Sequence, residues 1–409
     1  MKYLDVASLF DGDPAHLALL STFQFDPDFF ERRLLRCDAL QKARRIVVFV
    51  DSREWLRLLR QESPARLVNR RYLVVPVSQK GGLFHPKLTL VLTEDGGRVL
   101  CGSNNLTRSG CSSNLELLNT ITWARASPIA GHLTVVQKAF AFFEQAAIHG
   151  EIGVGRIAKE WIADAGDACP WLKTPASVGA GERVRLVHSY ESGLWSELSQ
   201  QLAQDDPSEF FIVSPFHDAD NAMCSRLSDA WPAAKIEMLV QSQVTRLAVP
   251  VLKRLKTVRL SELINESRRV HAKLLAWRGR HGSGCIAGSA NFTCAAFDGR
   301  NVEACLFVDD SAGPVDELFD ARLSKRGLAF DEFEPGVQGE PDSDDSKEPP
   351  LHLRSIVMGR ANHLSLSYVN DLPATALRLS IRAPGESLPR VSVGVPRKPH
   401  AVEDVTVPE

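Results

Sequence analysis

His85-Pro86-Lys87 is followed, after fourteen intervening residues, by Gly102-Ser103-Asn104-Asn105. His271-Ala272-Lys273 is followed, after the same fourteen, by Gly288-Ser289-Ala290-Asn291. Equal spacing of the same residue types in two distant places requires two copies of one supersecondary unit, so the chain is expected to fold as an internal repeat. The order of elements agrees. In the first half, apolar runs at 17–23, 44–51 and 72–77 read as strands, and 25–40 between the first two carries apolar residues at helical spacing. Asp26 before Pro27 reads as a helix start. In the second half, 208–216, 235–241 and 258–263 read as strands, with helical patterns at 218–231 and 245–255, where Pro250 marks a kink or boundary. Both halves carry a Ser-x-Phe after the first strand, Ser21-Thr22-Phe23 and Ser214-Pro215-Phe216. Strands alternating with helices predict an α/β layered domain in each half.

Each repeat ends in a hairpin. His85-Pro86-Lys87-Leu88-Thr89-Leu90 reads as a strand, Thr93-Glu94-Asp95-Gly96 as a turn and Arg98–Ser103 as the returning strand. Side chains alternate along a strand, so His85 and Lys87 are expected on one face, with Ser103 and Asn105 brought beside them. The same holds for His271, Lys273, Ser289 and Asn291, across a longer basic turn carrying Arg278, Arg280 and His281. Lysine supplies a point charge, the serine and asparagine supply hydrogen bonds, and glycine lets backbone approach: these are the parts of a phosphate site. Histidine can attack phosphorus or carry a proton near neutral pH. Two copies facing one another offer a nucleophile and a general acid. Asn114-Leu115-Glu116 follows the first copy and Asn301-Val302-Glu303 the second, and a carboxylate there can fix a histidine's tautomer. No metal-binding carboxylate cluster accompanies the motif, and no cofactor is expected.

The doubled motif resembles that of the phospholipase D superfamily, H-x-K with a following G-S-x-N, over roughly residues 15–330. The resemblance implies two pseudo-symmetric phospholipase D-like α/β/α lobes, a covalent phosphohistidine formed without metal, His85 as nucleophile, and His271 as general acid. The family's motif aspartate would fall at Leu92 and Arg278, neither of them acidic. Tyrosyl-DNA phosphodiesterases, which resemble this chain in having H-x-K and a distant asparagine, lack that aspartate too. Prokaryotic restriction and defence nucleases of the superfamily are the nearer comparison.

Five regions are expected: a first lobe at 1–125, a helical linking insertion at 126–182, a second lobe at 183–331, an acidic linker at 332–350 and a β-rich module at 351–409, within a chain of 409 residues. A net charge of −2 gives no global pull toward a polyanion, so nucleic acid must be met by a local patch. The N-terminus does not read as a signal peptide, and no apolar run reaches the roughly eighteen residues of a membrane span. Eight cysteines without metal-finger spacing read as reduced thiols in the cytoplasm, and Cys101 as a buried strand residue. Three functions compete. A nuclease, with DNA ahead of RNA and a helicase or ATPase as partner, would cleave in chelator. A phospholipase or phosphatidyl transferase would release headgroups from vesicles. A scaffold would bind nucleic acid without cutting it.

Overall fold

The structure is a computed structural model. It describes residues 5–60, 65–175, 183–191, 193–264, 266–310, 315, 319 and 325–336, together with the backbone of five strands beyond residue 350. The first lobe is built on β1 (Leu17–Thr22), β2 (Arg45–Asp51), β3 (Leu73–Val77), β4 (Leu88–Leu92), β5 (Gly96–Gly102) and β6 (Leu118–Ala124), in the order β3-β2-β1-β4-β5-β6. The second uses β7 (Val184–His188), β8 (Pro207–Val213), β9 (Lys235–Val240), β10 (Val258–Leu263), β11 (Leu274–Gly279), β12 (Ser283–Gly288), β13 (Ala304–Asp309) and β14 (Lys325–Leu328). Its order is β14-β10-β9-β8-β11-β12-β13-β7. Without the edge strands β14 and β7, the two orders superpose strand for strand. In each sheet three strands run parallel and the motif hairpin, β4–β5 or β11–β12, is added antiparallel to the first of them.

The strands read as unbroken apolar runs because both faces are covered. On β1, Leu17 and Leu19 join Val47, Phe49 and Val75 beneath the helices His132–His149 and Ile152–Ala168, while Ala18 and Leu20 join Val48 and Phe30 on the other face. Asp26 caps the helix Pro27–Arg32 by accepting from Phe29 N at 3.0 Å, with proline in the first turn. The helices Leu194–Asp205 and Ala222–Ala230 cover one face of the second sheet, against Phe210, Ile212 and Met238. The stretch 245–255 gives only the short helix Val249–Leu252, and Pro250 occupies its first turn, where its missing N–H costs nothing.

The lobes share a core. Leu186, Val302, Ala304 and Leu306 of the second pack into the cluster built on the first sheet. The opening of the acidic stretch is tied down: Phe333 is buried, Gln243 N donates to Glu334 O at 2.7 Å and Gly336 N to Thr245 O at 2.8 Å. The rest of that stretch lies outside the described residues. Beyond it, β15 (Leu351–Met358), β16 (His363–Asn370) and β19 (Lys398–Thr406) form one antiparallel sheet, and β17 (Leu377–Ile381) and β18 (Val391–Val395) form another. Among the described residues no helix is long and apolar enough to cross a membrane.

Candidate active site

The two motifs meet where the lobes exchange backbone. The segment before His85 bridges the segment before Glu303: His85 N donates to Val302 O at 2.9 Å, and Val302 N to Leu83 O at 2.8 Å. The segment before His271 bridges the segment before Glu116 in the same way: His271 N donates to Leu115 O at 2.9 Å, and Leu115 N to Arg269 O at 2.8 Å. Each histidine is therefore delivered to the glutamate of the other repeat. His85 Nδ1 lies 2.9 Å from Glu303 Oε2, and His271 Nδ1 lies 2.8 Å from Glu116 Oε1. The sequence places each glutamate after its own copy of the motif; the structure gives it to the opposite copy.

Second partners hold each carboxylate. Ser103 Oγ and Asn114 Nδ2 donate to Glu116, and Ser289 Oγ and Asn301 Nδ2 donate to Glu303. The motif serines thus orient the glutamates. Asn301 Oδ1 also accepts from Leu83 N at 3.0 Å, fastening the loop that carries His85. Burial pushes the Glu116 carboxyl up. The hydrogen bond and charge of His271, the Lys273 ammonium and the Ser103 hydroxyl outweigh that and hold it below the usual carboxylate range. With Nδ1 of both rings committed to carboxylates, Nε2 is the atom each can present to a substrate.

The strand ladders begin at Leu88 and Leu274, so each His-x-Lys lies just ahead of the strand expected to carry it. A side-chain hydrogen bond ties each pair together: Lys87 Nζ donates to His85 O at 2.8 Å, and Lys273 Nζ to His271 O at 3.0 Å. Lys273 Nζ also stands 3.2 Å from His271 Nε2, so an oxygen held by that ammonium is within reach of the ring. Both lysines are buried. Asn105 and Asn291 are buried too, and Asn105 Oδ1 accepts from Gln24 N at 3.3 Å, which turns its amide nitrogen to donate elsewhere. All ten residues singled out in the sequence lie at this one junction. The basic turn does not: Arg278 pairs with Glu209 at 3.1 Å and Arg280 with Asp206 at 3.4 Å, at the far end of the hairpin from His271.

Three contributors escape a reading of the motifs. Phe23 packs on His85 with ring centroids 5.3 Å apart and lies 5.7 Å from Lys87 Nζ. Asp51, at the end of β2, accepts from Phe84 N at 2.9 Å and so fixes the residue before His85; an acid closing an apolar strand is its only trace in the sequence. Thr22 and Ser214 are the third. Thr22 Oγ donates to Gln24 O at 2.6 Å and accepts from Leu106 N at 3.0 Å, while Ser214 Oγ donates to Phe216 O at 2.7 Å and accepts from Phe292 N at 3.0 Å. The equivalent hydroxyls are therefore Thr22 and Ser214, and the shared Ser-x-Phe is offset by one residue between the lobes.

The thiols are bystanders: Cys101 is pushed well above the ordinary range and Cys305 up to about 12, both chiefly by burial. Among the described residues no group of three or more His, Cys, Asp or Glu side chains is placed to hold a metal ion.

No protein-family model and no curated protein matches the chain. Solved structures are similar to it. A mutant yeast tyrosyl-DNA phosphodiesterase matches with TM-score 0.48 and 11% identity, over 76% of this chain and 86% of that one. Polyphosphate kinase from Porphyromonas gingivalis matches with TM-score 0.45 and 13% identity, over 84% of this chain and 49% of that one. Nuc, a phospholipase D family member from Salmonella typhimurium, matches with TM-score 0.28 and 14% identity, over 36% of this chain and 97% of that one.

Proposed function

We propose that this chain is a metal-independent phosphodiesterase of the phospholipase D type acting on nucleic acid, DNA ahead of RNA, through a covalent phosphohistidine. One observation carries the proposal: two imidazoles from opposite lobes, each held at Nδ1 by the carboxylate of the other repeat, with a lysine beside each. In the first step His85 Nε2 attacks phosphorus. The N–P bond forms as the P–O bond to the leaving group breaks, and His271 gives its Nε2 proton to the departing oxygen. In the second, His271 takes a proton from water and the water oxygen attacks phosphorus. The N–P bond breaks, its electron pair returns to His85, and both rings are regenerated. The Lys87 and Lys273 ammonium groups supply the positive charge for the non-bridging oxygens that a divalent ion would otherwise bring.

His85 as nucleophile and His271 as acid follow the resemblance to the superfamily. Two features support that order: the His85–Glu303 pair is wholly buried, and Glu116, held below the usual carboxylate range, faces the ring that must carry a proton. A cytoplasmic location, also part of this proposal, is supported only by the eight free thiols.

The test is incubation of purified protein with single- and double-stranded DNA and RNA in excess chelator. Cleavage is expected to persist in chelator, to vanish in His85→Ala and His271→Ala with the thermal melt retained, and to leave a labelled peptide containing His85 after acid-free trapping. Failure to cut any of these polymers, alone or with an added helicase or ATPase partner, would remove the nuclease function.

A further inference from the structure

Resting on that function, we propose that Arg246 and Arg300 hold the phosphate next to the scissile one. The chain would then require at least two consecutive backbone phosphates and grip its substrate on the His271 side. A cleft of about 290 Å³ opens beside the site, with Gly81, Phe216, His217, Arg246, Asn291 and Arg300 in its walls. Asn291 belongs to the second motif, and the Phe216 ring lies 6.4 Å from that of His271, so the cleft is continuous with the reacting centre. A polynucleotide carries one charge per nucleotide, so a cleft that opens on the reacting centre can receive the neighbouring phosphate.

The two arginines are placed rather than adventitious. Arg246 N donates to Pro215 O at 3.0 Å, beside Phe216. The Arg300 carbonyl accepts from Gln79 Nε2 at 3.0 Å, and a Cβ on Gly82 would stand 1.9 Å from the same oxygen, so this loop is packed against the other lobe. Both guanidinium groups are exposed, and among the described residues no carboxylate forms an ion pair with either. The acids nearby are spoken for. Asp298, whose charge Arg300 feels, is held by Arg226 at 2.6 and 3.0 Å. Asp218, also in the cleft wall, accepts from Met223 N at 3.0 Å and Cys294 N at 2.9 Å. Two forks with unspent charge at the mouth of a phosphate site match a phosphate's oxygens.

The pseudo-symmetric cleft on the other side differs. It has Gln24, Asp26, Arg57, Thr107 and Arg108 in its walls. Each cleft has one aspartate used by backbone N–H groups, Asp218 or Asp26, but here Arg57 is spent on Glu54 at 2.9 Å, which leaves Arg108 as the one cation in the wall against two in the first cleft. The grip is therefore one-sided.

The test separates grip from chemistry. Binding of a fluorescent single-stranded oligonucleotide is measured across a salt series in a His85→Ala background, with and without Arg246→Gln and Arg300→Gln. Turnover of bis(4-nitrophenyl) phosphate, which has no neighbouring phosphate, is measured separately with the wild-type chain. Losing the grip on that phosphate should weaken oligonucleotide binding roughly tenfold or more and flatten the slope of log affinity against log salt by about 0.7. An unchanged slope overturns the arginine site even if the small diester is cut. A flattened slope with no cleavage of the small diester or of any polynucleotide keeps the arginine site and removes the phosphodiesterase.

Discussion

Replacing Glu303 by glutamine tests the crossed arrangement at its most buried point. The substitution keeps the side chain's volume and removes a full charge 2.9 Å from His85 Nδ1, where two unit charges interact by roughly 332/(20 × 2.9), about 6 kcal/mol at an effective dielectric of about 20. When Nε2 bonds to phosphorus the ring gains part of a positive charge. About half of that energy, about 3 kcal/mol, is then lost from the transition state, or ~10²-fold in kcat. Glutamine also offers an N–H where the carboxylate accepts from His85, Ser289 and Asn301, so one of three donors is turned away. The assay is single-turnover cleavage of a labelled oligonucleotide by wild type, E303Q, H85A and the double variant, with thermal melts to show that each folds. Glu303 faces His85 Nδ1, so E303Q should be ~10²-fold slow, while H85A and the double variant should both stay at background. A rate for E303Q within about threefold of wild type would refute the pairing's role.

Lys273→Met, which keeps the length and apolar stem of a buried side chain, should lower kcat/KM about 10- to 100-fold through loss of a charge-assisted phosphate contact, with little change in melting temperature. Gly82→Ala would drive a Cβ to 1.9 Å from Arg300 O, and should cost about 1–3 kcal/mol, read as a lower urea midpoint at unchanged m. His217 is buried neutral, its imidazole pushed down from 6.5 to about 4 chiefly by burial. The unfolded chain takes up that proton below 6.5 while the folded one resists it until about 4. Stability should therefore fall as pH drops through this window, by up to about 3 kcal/mol (2.5 × 1.36). His217→Phe, which installs the residue found at the equivalent Phe25, should flatten the fall in denaturant titrations at pH 4 to 6.5; an unaltered pH profile would show that other groups cause it.

Much of this architecture is legible in the sequence. The alternation of apolar runs and helical patterns places both sheets, and Asp26-Pro27 marks a helix start, because these signals depend on backbone geometry within a few residues. The repeat also exposes all ten residues that gather at the junction. Local rules fail where tertiary contacts take over. His85 and Lys87 lie ahead of their strand, joined by a lysine-to-carbonyl hydrogen bond. The helix expected over 245–255 is confined to Val249–Leu252. The shared Ser-x-Phe is offset, since Thr22 and not Ser21 fills the place of Ser214.

By itself the sequence determined the duplicated sheet and the inventory of its site: histidine, lysine, serine, asparagine and glutamate, twice. Only the tertiary structure decided who meets whom. His85 is paired with a carboxylate 218 residues away and His271 with one 155 residues away, each across a backbone bridge between lobes. No periodicity within one repeat encodes such a crossing. It exists because two like units pack about a shared core, and that packing turns the glutamate of each toward the imidazole of the other.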